Sequence, residues 1–120
     1  MSEKTSRIHE MRLDDAPFAK IASGEKTIEL RLNDEKRAAI EVGDLIRFTR
    51  RDSGETLTVR VMALYRFASF DELYKAIALD KCGYAPEKHA SASPRDMDAY
   101  YPREAQEKYG VVGIGVEIVK

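Results

Sequence analysis

The stretch that most limits the fold runs from Gly24 to Arg31 and reads GEKTIELR. Glycine readily takes the left-handed backbone conformation that ends many helices, and the residues before it carry one apolar face. After it, Ile28 and Leu30 fall on one side of an extended chain, while Glu29 and Arg31 fall on the other. The stretch therefore predicts a helix that ends at the glycine and a strand that follows it.

The charged residues of this strand have two interpretations. Thr27, Glu29 and Arg31 share the polar face, and Lys26 lies at the junction between helix and strand. A half-buried strand with an ion pair in water accounts for them, because one face of a strand is often solvated. A cationic, hydrogen-bonding site at the mouth of a sheet accounts for them equally well.

The length of 120 residues indicates a single domain over 1–120, with residues 1–7 as a flexible N-terminal tail. The formal net charge is −1, although 34% of the residues are charged. A protein that holds a long duplex by neutralising phosphates is usually basic. Any role in nucleic-acid binding must therefore depend on a local patch, or on a short or small ligand.

Other classes of protein are disfavoured by what the sequence lacks. No apolar run approaches the roughly 20 residues of a membrane span, and the N-terminus has no apolar signal core. The only cysteine is Cys82, which excludes an internal disulfide. No His, Cys, Asp or Glu set has the spacing of metal ligands, so we expect neither a metal nor a cofactor. A cytoplasmic location with no membrane partner is the simplest expectation.

The strand pattern favours an α+β fold built on a small β-barrel of about five to six strands, with three or four short helices beside it. A long strand is predicted from Thr56 to Phe67, and its apolar residues change face at Met62, so it should bend, bulge or be buried on both sides. A helix should follow the capping serine Ser69 and place Tyr74 towards the core. The remaining strands are expected at Ile8–Leu13, Lys26–Leu32, Leu45–Arg51 and Val111–Val119.

Glycines in the last strand also have two interpretations. Gly113 and Gly115 share one face of this strand. Glycine inside a strand often marks the close approach of a ligand, and it also marks crowding at the corner of a barrel. The sequence does not choose between them.

Two further groups combine arginine with aromatic residues. Arg66 lies between Tyr65 and Phe67, and Tyr100–Arg103 contains the predicted helix break at Pro102, which should expose it. Aromatic rings beside arginine suit base stacking and phosphate contact, although these tyrosines could also pack on the barrel. Several more arginines come from the third and fourth strands, where a solvated face of mixed charge is favoured over a phosphate-binding patch: Arg47, Arg50, Arg51 and Arg60.

The spacing Gly24-x-Lys26-x-x-Glu29-x-Arg31 resembles the signature of the ASCH domain, a branch of the PUA-like superfamily. The flanking residues agree, with Val42-Gly43-Asp44 before a strand and Tyr109-Gly110-Val111 leading into the last strand. The resemblance runs from about His9 to Val119. It implies a PUA-like β-barrel with a cleft where the signature lies.

The resemblance also implies a ligand, which is RNA or a nucleotide-like molecule bound in that cleft. Our leading hypothesis is therefore a binding protein. The oligomeric state stays open between a monomer and a weak dimer. The residues that we expect at the ligand are Gly24, Lys26, Thr27, Glu29, Arg31, Arg66, Tyr100 and Tyr101.

An enzymatic alternative comes from the same resemblance. Some bacterial ASCH relatives are amidohydrolases that deacetylate acetylcytidine with a threonine nucleophile three residues after the signature lysine, and ribonuclease activity is attributed to others. Glu29 occupies the threonine position in this chain. In this alternative the protein is a metal-independent hydrolase of a modified nucleoside, or a ribonuclease, with Lys26 and Glu29 as its catalytic residues.

Overall fold

The structure, a computed structural model, describes residues 7–119. The tail expected over residues 1–7 therefore lies outside the described residues, except for Arg7. The helices and strands are β1 Ile8–Leu13, α1 Asp15–Ser23, β2 Ile28–Leu32, α2 Glu35–Ala38, β3 Leu45–Arg50, β4 Thr56–Phe67, α3 Phe70–Ala76, α4 Arg103–Tyr109 and β5 Val111–Ile118. Three 3₁₀ segments lie between α3 and α4, at Leu79–Cys82, Pro86–Lys88 and Pro94–Ala99.

The strands of the described region form one mixed sheet in the order β1-β3-β4-β5-β2. Only β1 and β3 are parallel, and every other pair is antiparallel. The sheet curls into a half-barrel whose two edge strands are β1 and β2. The predicted α+β class, with a small barrel and short flanking helices, is confirmed. No helix within residues 7–119 combines the length and the apolar character that a membrane span needs.

The curl of the sheet follows from β4, which pairs with β3 from Thr56 to Arg60 and with β5 from Val59 to Phe67. The pairing with β5 shifts register between Val61 and Ala63, so Met62 is the extra residue of a bulge. A bulge bends a strand and increases its twist. The bend predicted for this strand is therefore confirmed, and it lies where the apolar residues change face.

The glycines of β5 are explained by packing. A Cβ added at Gly113 would lie 3.1 Å from Cγ2 of Ile28 and 3.7 Å from Cδ1 of Leu73 on α3. A Cβ added at Gly115 would lie 3.3 Å from Cβ of Ala63, beside the bulge. Crowding within the half-barrel, rather than the approach of a ligand, accounts for both residues.

We predict that Gly110 is the least replaceable of the turn glycines. Its φ is +71°, and an added Cβ would lie 2.8 Å from the carbonyl oxygen of Phe67. Gly54 has a similar φ of +76° with open space around the Cβ position. Gly54→Ala should therefore cost about 1 kcal/mol of unfolding free energy from backbone strain alone, and Gly110→Ala should cost about 3 kcal/mol. Urea unfolding of the two variants measures the difference, and equal losses would contradict the steric argument.

Candidate functional site

A cavity of about 600 Å³ opens along the gap between the edge strands β1 and β2. Because β2 is an edge strand, no hydrogen-bonded neighbour covers the side that faces the gap. Side chains from both faces of β2 can therefore reach the gap. Helix α1 borders it, and the segment from Cys82 to Tyr101 supplies much of the remaining wall. The polar and aromatic side chains of the lining are Asp14, Lys20, Lys26, Glu29, Arg31, Arg51, Tyr74, Tyr84, Lys88, Ser91, Asp96, Tyr100 and Tyr101.

The turn at Gly24 places Lys26 at the cavity. Gly24 has a φ of +87° and ends α1, as the sequence predicts. The backbone N–H of Lys26 then donates to the carbonyl of Lys20, at 3.0 Å, and holds the turn closed. The N–H of Thr27 donates to the carbonyl of Lys81, at 2.9 Å, which fastens the residue before β2 to the 3₁₀ segment Leu79–Cys82.

Glu29 is buried between two cations. Its Oε1 lies 2.8 Å from Nζ of Lys26, and its Oε2 lies 2.8 Å from Nε of Arg31. The exposed fractions of the Glu29, Lys26 and Arg31 side chains are 5%, 11% and 12%. The interpretation as an ion pair in water is therefore wrong, because this strand is buried on both faces at Glu29 and its neighbours.

The electrostatics of this cluster favour its charged form. Burial raises the pKa of the Glu29 carboxyl, but the charges of Lys26 and Arg31 and their hydrogen bonds outweigh burial, so the pKa lies below its usual value of 4.5. Burial lowers the pKa of Arg31, and the Glu29 carboxylate more than offsets this, so that pKa is raised. The three ionised groups carry a net charge of +1, which leaves this part of the wall cationic.

Tyrosines form a second part of the wall. The hydroxyl oxygens of Tyr74 and Tyr84 are 2.8 Å apart, and the Tyr84 hydroxyl donates to Oδ2 of Asp96 at 2.7 Å. Tyr101 stacks on Phe70 with ring centroids 6.2 Å apart and an angle of 20° between the rings. The side chain of the preceding residue, Tyr100, is 67% exposed at the rim of the cavity.

Cys82 lines the cavity but is not suited to act as a nucleophile. The residue is buried, and burial raises the pKa of its thiol to about 11. The reactive species of cysteine is the thiolate, which is scarce at neutral pH when the pKa is this high. Within residues 7–119, no group of three or more His, Cys, Asp or Glu side chains is arranged to hold a metal ion.

The structure brings five of the eight predicted ligand residues together. Lys26, Glu29, Arg31, Tyr100 and Tyr101 all line the cavity. The other three lie elsewhere: Gly24 and Thr27 border a smaller recess of about 300 Å³, and Arg66 borders neither.

Arg66 lies outside the cavity lining and has partners elsewhere on the protein. Its Nε donates to Oδ1 of Asn33 at 3.0 Å, and its Nη2 donates to the carbonyl of Ile40 at 3.2 Å, with longer contacts to two carbonyls at the end of α2. The last carbonyls of a helix have no partner within the helix. Arg66 supplies donors to the end of α2 and to the chain that leaves it, so these contacts commit its guanidinium to a structural role.

The other arginines of β3, of the turn that follows it and of β4 all have partners on the protein. Arg47 pairs with Glu10, and Nε of Arg50 lies 2.9 Å from Oδ1 of Asp15. Nε of Arg51 lies 3.1 Å from Oδ1 of Asp14, and Nη1 of Arg60 donates to the carbonyl of Gly43 at 3.1 Å. Compensation of this kind disfavours an extended phosphate-binding surface on the hairpin.

The residues that sequence reasoning missed come mostly from outside the signature. Tyr74 has the helical spacing of a core residue, so the sequence gives no indication that its hydroxyl lies at the cavity wall. Lys20 is a helix residue whose Nζ reaches across to the carbonyl of Gly83, at 2.7 Å. Tyr84, Lys88 and Asp96 lie on or between short 3₁₀ segments, where no periodic pattern marks which side chains point inward.

Comparison with known proteins identifies the fold and the family. The sequence matches the model of the ASCH domain over residues 11–120. The crystal structure of the hypothetical protein PH0355 has a TM-score of 0.77 and 32% identity, and the match covers 93% of this chain and 99% of that one. For protein PF0455 from Pyrococcus furiosus, the TM-score is 0.69 and the identity 33%, with 94% and 98% covered.

A more distant structure is the ASCH protein from Zymomonas mobilis, with a TM-score of 0.64 and 12% identity over 92% of this chain and 67% of that one. At this identity the likeness supports the fold alone. The search of curated proteins finds no match. The domain match spans nearly all of the sequence, and the chain therefore belongs to the ASCH domain family.

Proposed function

We propose that the protein binds an unpaired nucleotide, free or within single-stranded RNA, in the cavity between β1 and β2. Members of the ASCH family are generally thought to bind RNA. The observation that carries the proposal for this chain is the buried Lys26–Glu29–Arg31 cluster in the wall of a cavity that also presents tyrosines.

The cationic wall suits a phosphate or a carbonyl oxygen. Five cationic and three acidic side chains line the cavity, which gives its lining a formal charge of +2 in a chain of −1. Nε of Arg31 donates a hydrogen bond to Glu29, and its Nη2 donates to the carbonyl of Arg12. Within residues 7–119, Nη1 has no hydrogen-bond acceptor. Lys26 directs one donor to Glu29 and has two more N–H bonds. These donors are the ones that we assign to the ligand.

The aromatic part of the wall suits a base. Tyr100 and Tyr101 have ring centroids 6.5 Å apart, and the first of them is exposed at the rim. Stacking of a base on an aromatic side chain contributes about 1–3 kcal/mol and tolerates any base. A cavity of about 600 Å³ lies within the range of small-ligand sites. An unpaired nucleotide fits this combination better than a duplex, which needs a broad basic surface.

The same geometry favours binding over the hydrolase and ribonuclease alternatives. A general acid or base needs a carboxyl group whose pKa lies near the working pH and whose oxygens can reach the substrate. Both oxygens of Glu29 are occupied by cations, and its pKa is lowered rather than raised. We therefore assign Glu29 the role of counterion that positions Lys26 and Arg31.

We predict that Lys26→Met weakens the binding of AMP and of a single-stranded RNA decamer by about tenfold to a hundredfold. A hydrogen bond to a charged group contributes about 1.5–3 kcal/mol, which corresponds to that range. Methionine keeps an unbranched stem, and the Lys26 stem packs at Gly83, where the space is tight. Isothermal titration calorimetry of both ligands measures the change.

Lys75→Met is the matched control, because Lys75 is exposed on α3 and is not part of the cavity lining. It should bind both ligands as the wild type does. Equal binding by wild type and Lys26→Met, or no binding by either, would contradict the proposed site. Turnover of acetylcytidine or RNA in the presence of a chelator, lost in Glu29→Gln, would instead support the enzymatic alternative.

We predict that Glu29→Gln destabilises the protein by about 3 kcal/mol at pH 7, because it leaves two buried cations without their counterion. The pKa of Glu29 is lower in the folded protein than its usual value of 4.5, so its stabilisation is complete above that pH and is lost as the pH falls through the folded pKa. The unfolding free energies of wild type and variant should thus approach each other as the pH falls below 4.5 and converge once the pH is below the folded pKa.

Glu10→Gln serves as the control for this measurement, because Glu10 pairs with Arg47 on the exposed edge of the sheet. Its stability should follow that of the wild type across the same pH range. A constant gap between wild type and Glu29→Gln from pH 7 to pH 3 would show that the loss comes from packing and not from charge.

A further inference from the structure

Three polar side chains form a hydrogen-bonded chain in the cavity wall: Tyr74, Tyr84 and Asp96. The two hydroxyl oxygens are 2.8 Å apart, and the Tyr84 oxygen lies 2.7 Å from Oδ2 of Asp96. The same carboxylate oxygen accepts the backbone N–H of Ser93 at 3.1 Å. Every member of the chain therefore has a defined partner.

The direction of these hydrogen bonds is fixed by the carboxylate. An ionised carboxylate has only acceptor atoms, so the hydroxyl proton of Tyr84 must be directed at Asp96. A tyrosine hydroxyl has a single proton, so the contact between the two hydroxyls must be donated by Tyr74. Burial raises the pKa of both tyrosines, which keeps their protons in place at neutral pH.

The consequence for a ligand is that this part of the wall can only accept. Both hydroxyl protons are already committed, and the atoms that remain open on Tyr74, Tyr84 and Asp96 are oxygen lone pairs. The cluster at Lys26 and Arg31 has the opposite character, since its open atoms are N–H donors. The cavity thus presents donors on one part of its wall and acceptors on another.

We propose that this chain of hydroxyls makes the cavity select nucleotides whose base carries an exocyclic amino group, adenine or cytosine, over their keto counterparts, hypoxanthine and uracil. The inference rests on the proposed function and adds the class of base. The amino groups of adenine and cytosine are donors, and the keto oxygen at the same position is an acceptor. A keto oxygen placed against the tyrosine oxygens finds no proton, and a polar group that gives up its hydrogen bonds to water without a replacement costs binding energy.

The test compares two pairs of ligands, AMP with IMP and CMP with UMP, in which a keto oxygen replaces the amino group and the adjacent ring nitrogen gains a hydrogen. We expect the wild type to bind the amino member of each pair about threefold to tenfold more tightly, which is the range for one lost hydrogen bond that is partly open to water. Calorimetric titration of the four nucleotides at one salt concentration gives the two ratios.

Two variants test whether the base preference comes from the direction of the hydroxyl hydrogen bonds or only from the presence of the tyrosine rings. Tyr84→Phe removes the middle hydroxyl and frees the proton of Tyr74, so the keto nucleotides should bind more tightly and both ratios should approach one. Tyr74→Phe removes an accepting oxygen, so the amino nucleotides should bind more weakly while the keto nucleotides stay unchanged. Both variants keep the ring and its edge-to-face packing, with centroids 6.0 Å apart.

Tyr65→Phe is the matched control, because Tyr65 is an exposed tyrosine outside the cavity lining. It should leave both ratios at their wild-type values. Nucleotides that bind at the cavity with equal affinity in each pair, or with the keto member preferred, would overturn this inference and leave the proposed function standing. Absence of binding for all four nucleotides and for RNA would overturn both.

Discussion

The carboxylate of Glu29, held between Lys26 and Arg31, is the interaction on which both the site and the mouth of the half-barrel depend. A carboxylate with 5% of its side chain exposed is tolerated only when its charge is compensated, and here two cations compensate it. Arg31 also reaches from β2 to the carbonyl of Arg12 on β1, at 2.8 Å. Because the two edge strands share no backbone ladder, this side chain links the sides of the opening. The residues that would hold a ligand thus also shape the gap that would receive it.

The remaining wall depends on long-range contacts to the segment after α3. The N–H of Thr27 is bonded to Lys81, and Nζ of Lys20 is bonded to Gly83, so α1 and the start of β2 both hold this segment in place. A cavity built this way has the Lys26–Glu29–Arg31 cluster at and just before β2, and its tyrosines on α3 and in the segment between α3 and α4. The arrangement explains how a chain with a net charge of −1 can present a locally cationic site.

Local patterns were sufficient to predict most of the fold. The bend of β4 was visible as a change of apolar face at Met62, and the start of α3 was visible in Ser69, whose hydroxyl accepts the N–H of Glu72 at 3.2 Å. The end of α1 at Gly24 required only a residue suited to a left-handed turn. Each of these features depends on residues that are close in the sequence, which is why the sequence alone indicates them.

The site could be predicted only in part, because much of its wall depends on contacts between distant residues. The signature spacing indicated Lys26, Glu29 and Arg31, but the burial of Glu29 depends on the whole sheet. Arg66 was expected at the ligand because of its aromatic neighbours, but it lies outside the cavity lining, and its guanidinium donates to carbonyls at and after the end of α2. Tyr84 and Asp96 carry no local signal, since irregular segments bring them to the wall.

The most direct test of the central claim is the location of the bound nucleotide. Amide chemical-shift perturbation of ¹⁵N-labelled protein titrated with AMP reports that location residue by residue. We expect the largest shifts at Lys26, Arg31, Gly83 and Tyr101, which surround the cavity. Shifts confined to the arginines of β3 and β4 would contradict a binding site between β1 and β2. A spectrum that stays unchanged up to the highest AMP concentration would contradict it as well.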